Sequence, residues 1–206
     1  MQTKPPKTSD GRCPWPGIAD PEYARYHDEE WGVPLTDDRL LFEKMILEGF
    51  QSGLSWLTIL RKRENFRRAF HDFDTARIAR YGAKDFARLM GDAGIVRNKL
   101  KIESTIDNAK AYLALSKHTP FSHFIWSFVP GQPIQNNVAA FKDIATQTEH
   151  STALSKVLKK EGFRFVGPTT VYAFMQSSGM VNDHLVSCPR HKTCAKLQKA
   201  LKVPGR

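Results

Sequence analysis

Apolar residues recur at intervals of three and four along most of the chain, and this pattern predicts α-helices. The clearest series is Ile102, Ile106, Ala109 and Leu113, which falls inside a predicted helix over 98–116. The alternation of apolar and polar residues that is typical of strands is nearly absent. Further helices are predicted over 55–70, 74–80, 83–91, 151–161 and 168–178. The pattern therefore predicts an all-α fold.

Capping residues mark two more helices near the N-terminus. Asp20 precedes Pro21, and an acid followed by a proline is a common start of a helix. Thr36, followed by two aspartates, predicts the start of the next helix. Glu48 falls near the C-terminal turn of that second helix, just before a glycine.

Composition along the chain predicts its organisation. Pro and Lys dominate residues 1–11, which we interpret as a flexible arm, and basic residues dominate 195–206, which we interpret as a tail. Between them, 12–194 is predicted to form one domain of two helical sub-lobes. The Pro- and Gly-rich turn at 129–133 is the expected hinge between these sub-lobes. Residues 130–150 show no regular pattern.

The chain is strongly basic. Its 206 residues include 31 Lys and Arg against 21 Asp and Glu, a formal net charge of +10. Such a charge favours a polyanionic partner, with nucleic acid the first candidate and an anionic membrane surface the second. No apolar stretch reaches the roughly 18 residues that a membrane span needs, and no signal peptide is evident. Three cysteines, an odd number, fit reduced thiols or metal ligands. We therefore expect a cytoplasmic protein, and nothing requires more than a monomer.

Two cysteines and two histidines at opposite ends of the chain could together hold a metal ion. Cys13 and His27 lie near the start, and His184 and Cys188 lie near the end. Zinc favours thiolate and imidazole ligands, and four protein ligands leave no open position for an activated water. Spacing alone does not distinguish this structural zinc site from a buried thiol with two surface imidazoles.

A rival ligand set occupies one short segment. Cys188, His191 and Cys194 follow one another at intervals of three. This set lacks an obvious fourth ligand, so we rank it second. Cys194 is then expected to be a free thiol in the tail.

The segment from Trp15 to Trp56 is unusually rich in aromatic residues and includes Tyr23 and Tyr26. Taken singly, such residues are more often core than ligand cage. Glu48, however, stands in an apolar context, where a buried acid needs a partner or a function unless it reaches water at the helix end. An aromatic pocket closed by one carboxylate suits a flat, cationic ring.

Seven segments carry a more specific signal. They are YARYHDEEWGVP at 23–34, LEGFQSGLSWLTIL at 47–60, KREN at 62–65, DAGIVR at 92–97, IWSFV at 125–129, LKKEGFRFVG at 158–167 and MVNDHLVSC at 180–188. Across 12–188 the chain closely resembles the bacterial DNA-3-methyladenine glycosylase I family. The resemblance implies an all-α fold of the helix-hairpin-helix glycosylase superfamily, with 12–194 as the glycosylase domain. It also implies one structural Zn²⁺ on the four ligands named above.

The resemblance further implies the site residues. The family's base pocket falls on Glu48 as the catalytic carboxylate, with Tyr26 and Trp56 against the base and Trp15 and Tyr23 as further walls. The part of the family that enters the DNA stack falls on Gly53 and Leu54. The superfamily's phosphate-binding hairpin falls on Gly94, Arg97 and Lys99, although a plain glycine turn with solvated basic residues is the alternative. Where lyase-competent relatives carry a nucleophilic lysine, this chain has Asn98, so base removal without strand cleavage is expected.

The implied activity is hydrolytic excision of 3-methyladenine from double-stranded alkylated DNA, with free 3-methyladenine as product and no membrane partner. Basic clusters at 61–68 and 156–164 are candidates for additional phosphate contacts. Phe50 departs from the family pattern, in which a polar residue follows the Glu-Gly pair, and it could alter the pocket rim. The alternative function is a zinc-stabilised DNA-damage-binding protein without catalysis. A zinc hydrolase is weaker still, because the four ligands leave no open metal site.

Overall fold

The computed structural model describes residues 11–206, and α-helices dominate this part of the chain. Every helix predicted from the sequence is present within two residues of its expected ends. The all-α prediction is thereby confirmed for the main elements. The helices are α1 (Pro21–Glu29), α2 (Asp38–Gln51), α3 (Trp56–Ala69), α4 (Thr75–Ile78), α5 (Ala83–Gly91), α6 (Lys99–Ser116), α7 (Phe121–Trp126), α8 (Glu149–Lys160), α9 (Pro168–Ser177) and α10 (Pro189–Ala200).

The N-terminal helices begin where their capping residues place them. The Asp20 carboxylate accepts hydrogen bonds from the first-turn amides of α1. Ser55 does the same for α3, accepting from the Thr58 amide at 3.2 Å. In α2 the cap is Asp37 rather than the expected Thr36, because the Asp37 carboxylate accepts from the amide of Leu40 at 2.8 Å. These caps fix the starts of the helices that carry the candidate site.

Helix α2 lies at the centre of the core. Nine of its 14 residues are buried, so buried positions extend around most of its circumference. It packs against α3 and α9. Phe50 points into this core, 4.7 Å from the Phe66 ring and 6.0 Å from the Phe70 ring. The expectation that Phe50 could alter the pocket rim was therefore wrong, because its side chain packs in the core.

Two very short strands, β1 (Ile134–Gln135) and β2 (Val181–Asn182), pair in parallel. Two-residue strands are too short to show an alternating pattern, so no pattern predicted them. The contact continues beyond the strands, because the amide of Asn136 donates to the carbonyl of Asn182 and the amide of Val186 donates to the carbonyl of Val138. Part of the stretch 130–150, which had no predicted structure, therefore lies beside the segment after β2.

Two helices were not predicted. Helix α7 is only six residues long, and α10 is mostly polar, with Cys194 and Gln198 as its buried residues. Neither therefore shows a helical apolar period. Because α10 runs from 189 to 200, the expected basic tail over 195–206 begins inside a helix. Cys194 is a free thiol, as expected, but it is fully buried in that helix and does not lie in a tail.

The expected arm over 1–11 lies outside the described residues except for its last residue. Residues 13–31 pack against residues 185–188 in a second apolar cluster, which includes Cys13, Trp31, Leu185 and Cys188. The backbone at Gly179 packs closely against the backbone of Val33. A Cβ atom added at Gly179 would lie 2.4 Å from Val33, so this contact requires glycine. None of the described helices combines the length and the apolar character needed to cross a membrane.

Candidate functional site

A cavity of about 460 Å³ opens between α1, the end of α2, the start of α3 and α9. Its lining includes the five residues that the sequence analysis assigned to a base pocket: Trp15, Tyr23, Tyr26, Glu48 and Trp56. The other walls come from Trp31, Gln51, Tyr172, Gln176 and the loop 141–146. The fold thus gathers one carboxylate and several aromatic rings from four separate elements around one space.

The aromatic rings form a continuous wall. Tyr26 and Trp56 lie 5.4 Å apart between ring centroids, Trp15 and Tyr23 lie 5.0 Å apart, and Tyr23 and Tyr26 are stacked at 6.4 Å. The Ser55 cap sets the position of Trp56 at the first turn of α3. Aromatic rings bind flat rings well through their faces and edges, and their faces attract cations. The wall is therefore suited to an aromatic, positively charged ligand.

Glu48 is the buried acid in this wall, with 4% of its surface exposed. Burial raises the pKa of Glu48 to about 7, although a hydrogen bond with Ser177 and the charge of Lys44 act in the opposite direction. Burial and the nearby Glu48 also raise the pKa of Tyr23 to about 12 and hold that of Tyr26 well above its usual value. Both phenols therefore stay protonated at neutral pH and can donate hydrogen bonds into the cavity.

Tyr172 and Gln176 line the cavity but were missed by the sequence analysis. The Tyr172 hydroxyl donates to Asp183 Oδ2 at 2.7 Å, and the Gln176 amide donates to the same oxygen at 2.6 Å. Asn136 donates to Asp183 Oδ1 at 2.7 Å. The spacing of four between the two lining residues places them on one face of α9. That spacing was the only available signal, because no regular pattern marks a contact with Asp183, which lies 11 residues after Tyr172 and 7 after Gln176.

The residues expected to enter the DNA stack lie in the loop between α2 and α3, which we call the wedge loop (residues 52–55). Gly53 has a φ of +79°, a conformation that favours glycine, and Leu54 is 40% exposed. Gln51, which lines the cavity, donates its amide to the carbonyl of Leu54 at 3.0 Å. The wedge loop is therefore directly connected to the cavity wall.

The residues expected to bind phosphate lie between α5 and α6, in a segment we call the phosphate turn (residues 94–99). The amide of Gly94 donates to Asp92 Oδ1 at 2.7 Å. Arg97 is exposed, and the side chain of Lys99 is 69% exposed, with its ammonium 3.9 Å from Glu103. Both basic side chains are thus accessible to an anion.

Much of the basic cluster at 61–68 is already paired within the protein. Arg63 makes two hydrogen bonds to the Glu30 carboxylate, at 2.5 and 2.9 Å. Lys62 donates to the carbonyls of Ala93 and Gly94 at 3.0 and 3.2 Å, and so braces the phosphate turn. Further ion pairs join Arg61 to Asp20, and Arg67 to Glu43 and Glu64. These side chains stabilise the fold, which weakens the case for them as phosphate ligands.

A group of four potential metal ligands, of the expected composition, lies behind the aromatic wall. Cys13, His27, His184 and Cys188 are all buried, and their ligand atoms lie within 4.8 Å of one another. Cys13 Sγ is 3.7 Å from His184 Nδ1, and Cys188 Sγ is 3.7 Å from both His27 Nε2 and His184 Nδ1. Zinc bonds of about 2.3 Å to sulfur and about 2.0 Å to nitrogen, in tetrahedral geometry, place these atoms about 3.6 Å apart. The prediction that the four residues meet is confirmed, and the group could hold a metal ion.

The outer partners of the histidines also fit a metal site. His27 Nδ1 lies 2.8 Å from Asp28 Oδ1, and His184 Nε2 lies 2.9 Å from the carbonyl of Trp31. Such contacts orient the opposite ring nitrogen towards a metal. The rival set is not assembled, because His191 Nε2 contacts the carbonyl of Asn136, 3.1 Å away, and Cys194 lies outside the group of four.

The helical fold and the aromatic cavity with its buried carboxylate define an enzyme class, the DNA base glycosylases. A model of the methyladenine glycosylase family matches residues 15–191, and the chain belongs to that family. DNA-3-methyladenine glycosylase of Haemophilus influenzae is 54% identical over 179 residues, which cover 86% of this chain and 96% of the relative. DNA-3-methyladenine glycosylase 1 of Escherichia coli is 52% identical over 178 residues, covering 86% and 95%.

Solved structures agree in fold. A crystal structure of 3-methyladenine DNA glycosylase I superimposes with a TM-score of 0.84 at 51% identity, covering 86% of this chain and 98% of its own. A variant of such a glycosylase, crystallised in complex with 3-methyladenine, has a TM-score of 0.81 at 41% identity, covering 84% and 94%. The likeness extends over nearly the whole described chain.

Proposed function

We propose that Glu48 and the aromatic wall hold 3-methyladenine, the base that this chain excises from alkylated DNA in base excision repair. The observation that carries the proposal is a single buried carboxylate set among aromatic rings in a cavity of about 460 Å³. A flat cationic base fits both features. The family and the relatives described above act on this same base by name.

The charge of the lesion explains the chemistry. Alkylation at N3 makes the base cationic, so it leaves as a neutral molecule when the glycosidic bond breaks and it takes the electron pair. Water supplies the hydroxyl that ends on the sugar carbon, and its proton goes to solvent. The enzyme therefore has no need to protonate the leaving base, and it can act by selecting and holding it.

Glu48 provides the selection. Its pKa of about 7 leaves it close to half ionised in the empty cavity at neutral pH. A cationic base stabilises the carboxylate form, whereas neutral adenine leaves the desolvated charge uncompensated. We assign Trp56 to stacking on the base, Tyr26 to a polar contact from its hydroxyl, and Trp15 and Tyr23 to the walls. Stacking and charge pairing then both favour the alkylated base.

The cavity is too small for a base within a duplex, so the nucleotide must rotate out of the stack at a cost of a few kcal/mol. We propose that Gly53 and Leu54 enter the space it leaves. Gly94, Arg97 and Lys99 bind the DNA backbone as a helix-hairpin-helix element. Support comes from the exposure of Leu54, Arg97 and Lys99. Asn98, whose side chain caps α6, offers no amine nucleophile, so the strand stays intact.

We further propose that the buried group of Cys13, His27, His184 and Cys188 holds one structural Zn²⁺. Thiolate and imidazole donors, complete burial and four protein ligands all favour a closed zinc site that ties the two ends of the domain together. None of the three cysteines forms a disulfide, which fits a cytoplasmic enzyme. We propose that it acts as a monomer.

The test is incubation of the purified protein with methylated duplex DNA. Released bases are identified by chromatography, and strand integrity is followed on a denaturing gel. The proposal predicts free 3-methyladenine with uncut strands. Glu48→Gln should release the base at a rate reduced by roughly a hundredfold or more, whereas the exposed control Glu161→Gln should match the wild type. Tight binding to methylated DNA without release of a base would instead support a non-catalytic damage sensor.

A further inference from the structure

Lys101 is a buried lysine that lies outside the cavity. No acidic side chain among the described residues forms an ion pair with it. Only 7% of its surface is exposed. Its ammonium donates to the backbone carbonyl of Phe50 at 2.9 Å and to that of Ser52 at 2.6 Å. Burial lowers the pKa of Lys101, as expected for a charge withdrawn from water. The two carbonyl bonds are what stabilise it there.

These two bonds join segments that are distant in sequence. Lys101 lies in the first turn of α6, directly after the phosphate turn, and its backbone amide donates to the Asn98 side chain at 3.1 Å. Phe50 is in the last turn of α2, two residues after Glu48, and Ser52 begins the wedge loop. One side chain therefore contacts both the end of the Glu48 helix and the loop that carries Leu54.

The chemistry of the contact suits a rigid connection. Carbonyls at the C-terminal end of a helix lack intrahelical partners and carry partial negative charge, so an ammonium is a favourable cap for them. No residue in the last turn of α2 itself is basic, and the cap comes from α6. The Gln51 amide holds the other side of the same loop through the carbonyl of Leu54. The wedge loop is thus held between the cavity wall and α6.

We propose that Lys101 is a positioning residue that fixes the wedge loop relative to the phosphate turn, so that capture of the DNA backbone places Leu54 at the base to be rotated out. The proposal rests on the DNA-binding roles proposed above for these two segments. In this proposal Lys101 contacts neither the base nor the DNA backbone. Its loss should therefore impair excision from duplex DNA, where the stack must be opened, and should spare steps that need no opening.

The experiment uses Lys101→Met in the full chain, with Lys110→Met as a matched control that removes an exposed charge from the same helix. Base release is measured on methylated duplex and on methylated single-stranded DNA. Binding of free 3-methyladenine is followed by tryptophan fluorescence. We expect the single-turnover rate on duplex to fall by roughly tenfold or more, the rate on single strands to fall by less than about threefold, and base affinity to stay within about twofold.

Further variants keep the proposal testable. Lys101→Arg, which retains the charge and the donors, should restore most of the duplex rate, and Lys101→Gln serves if the methionine variant does not fold. Equal losses on duplex and single strands, loss of base binding, or an unchanged duplex rate would each overturn the proposal. If the wild type itself releases no base, the proposed function fails instead. Lys101 is then judged by whether the variant loses the fluorescence rise of a 2-aminopurine placed beside the lesion.

Discussion

Replacing Glu48 with glutamine should stabilise the protein in a way that depends on pH. Burial raises the pKa of Glu48 from an ordinary value of 4.5 to about 7 in the folded state. At about 1.4 kcal/mol for each pH unit, this difference corresponds to a free energy of about 3 kcal/mol. The folded state binds the proton more tightly than the unfolded state, so the contribution of Glu48 to stability is most favourable below about pH 4.5. It declines as the pH rises to about 7 and is constant above that value.

The glutamine variant has no proton to lose at this position, so it escapes the decline. The free energy of unfolding of Glu48→Gln minus that of the wild type should therefore rise by about 3 kcal/mol between about pH 4 and about pH 8. Urea denaturation followed by tryptophan fluorescence measures both proteins at each pH. Other titrating groups, including the buried cysteines and histidines, cancel in the difference. A difference that does not change with pH, or that falls as pH rises, would refute the assignment of Glu48 as a desolvated acid.

Three other predictions concern the site. The kcat/KM for excision should rise with pH through about 7 and then level off, because the cationic base requires the Glu48 carboxylate; a rate that falls over this range would contradict it. Trp56→Ala should weaken binding of free 3-methyladenine by roughly tenfold to a hundredfold in a fluorescence titration, whereas an unchanged affinity would exclude stacking on Trp56. Cys188→Ala should lose the single equivalent of zinc measured by metal analysis and several kcal/mol of stability, while Cys194→Ala, outside the ligand group, should keep the metal.

Local signals in the sequence were sufficient for most of the fold. Asp20 with Pro21 marked the start of α1, and the period of apolar residues located α6 almost to the residue. The same signals failed where a helix buries few of its residues. Helix α10 buries Cys194 and Gln198 and is otherwise largely polar, so it showed no apolar period, and Cys194 was taken for a tail thiol.

The candidate site shows the same limit. Glu48 was recognisable as an acid in an apolar context, and the aromatic residues near it were visible because they lie within one segment. Tyr172 and Gln176 were not found, because they reach the cavity through α9 and are held by Asp183, and no short-range pattern reports such a contact. Lys101 was missed for a related reason, since its partners are backbone carbonyls about 50 residues earlier, and any residue type supplies those.

The most direct test of the central claim compares excision by the wild type and by Glu48→Gln under single-turnover conditions. The substrate is duplex DNA that carries 3-methyladenine, and the free base is quantified by chromatography. The account predicts rapid release by the wild type and a rate reduced by roughly a hundredfold or more in the variant, which keeps the size of the side chain but not its charge. Excision by Glu48→Gln at the wild-type rate would contradict the claim that a buried carboxylate selects and holds the cationic base.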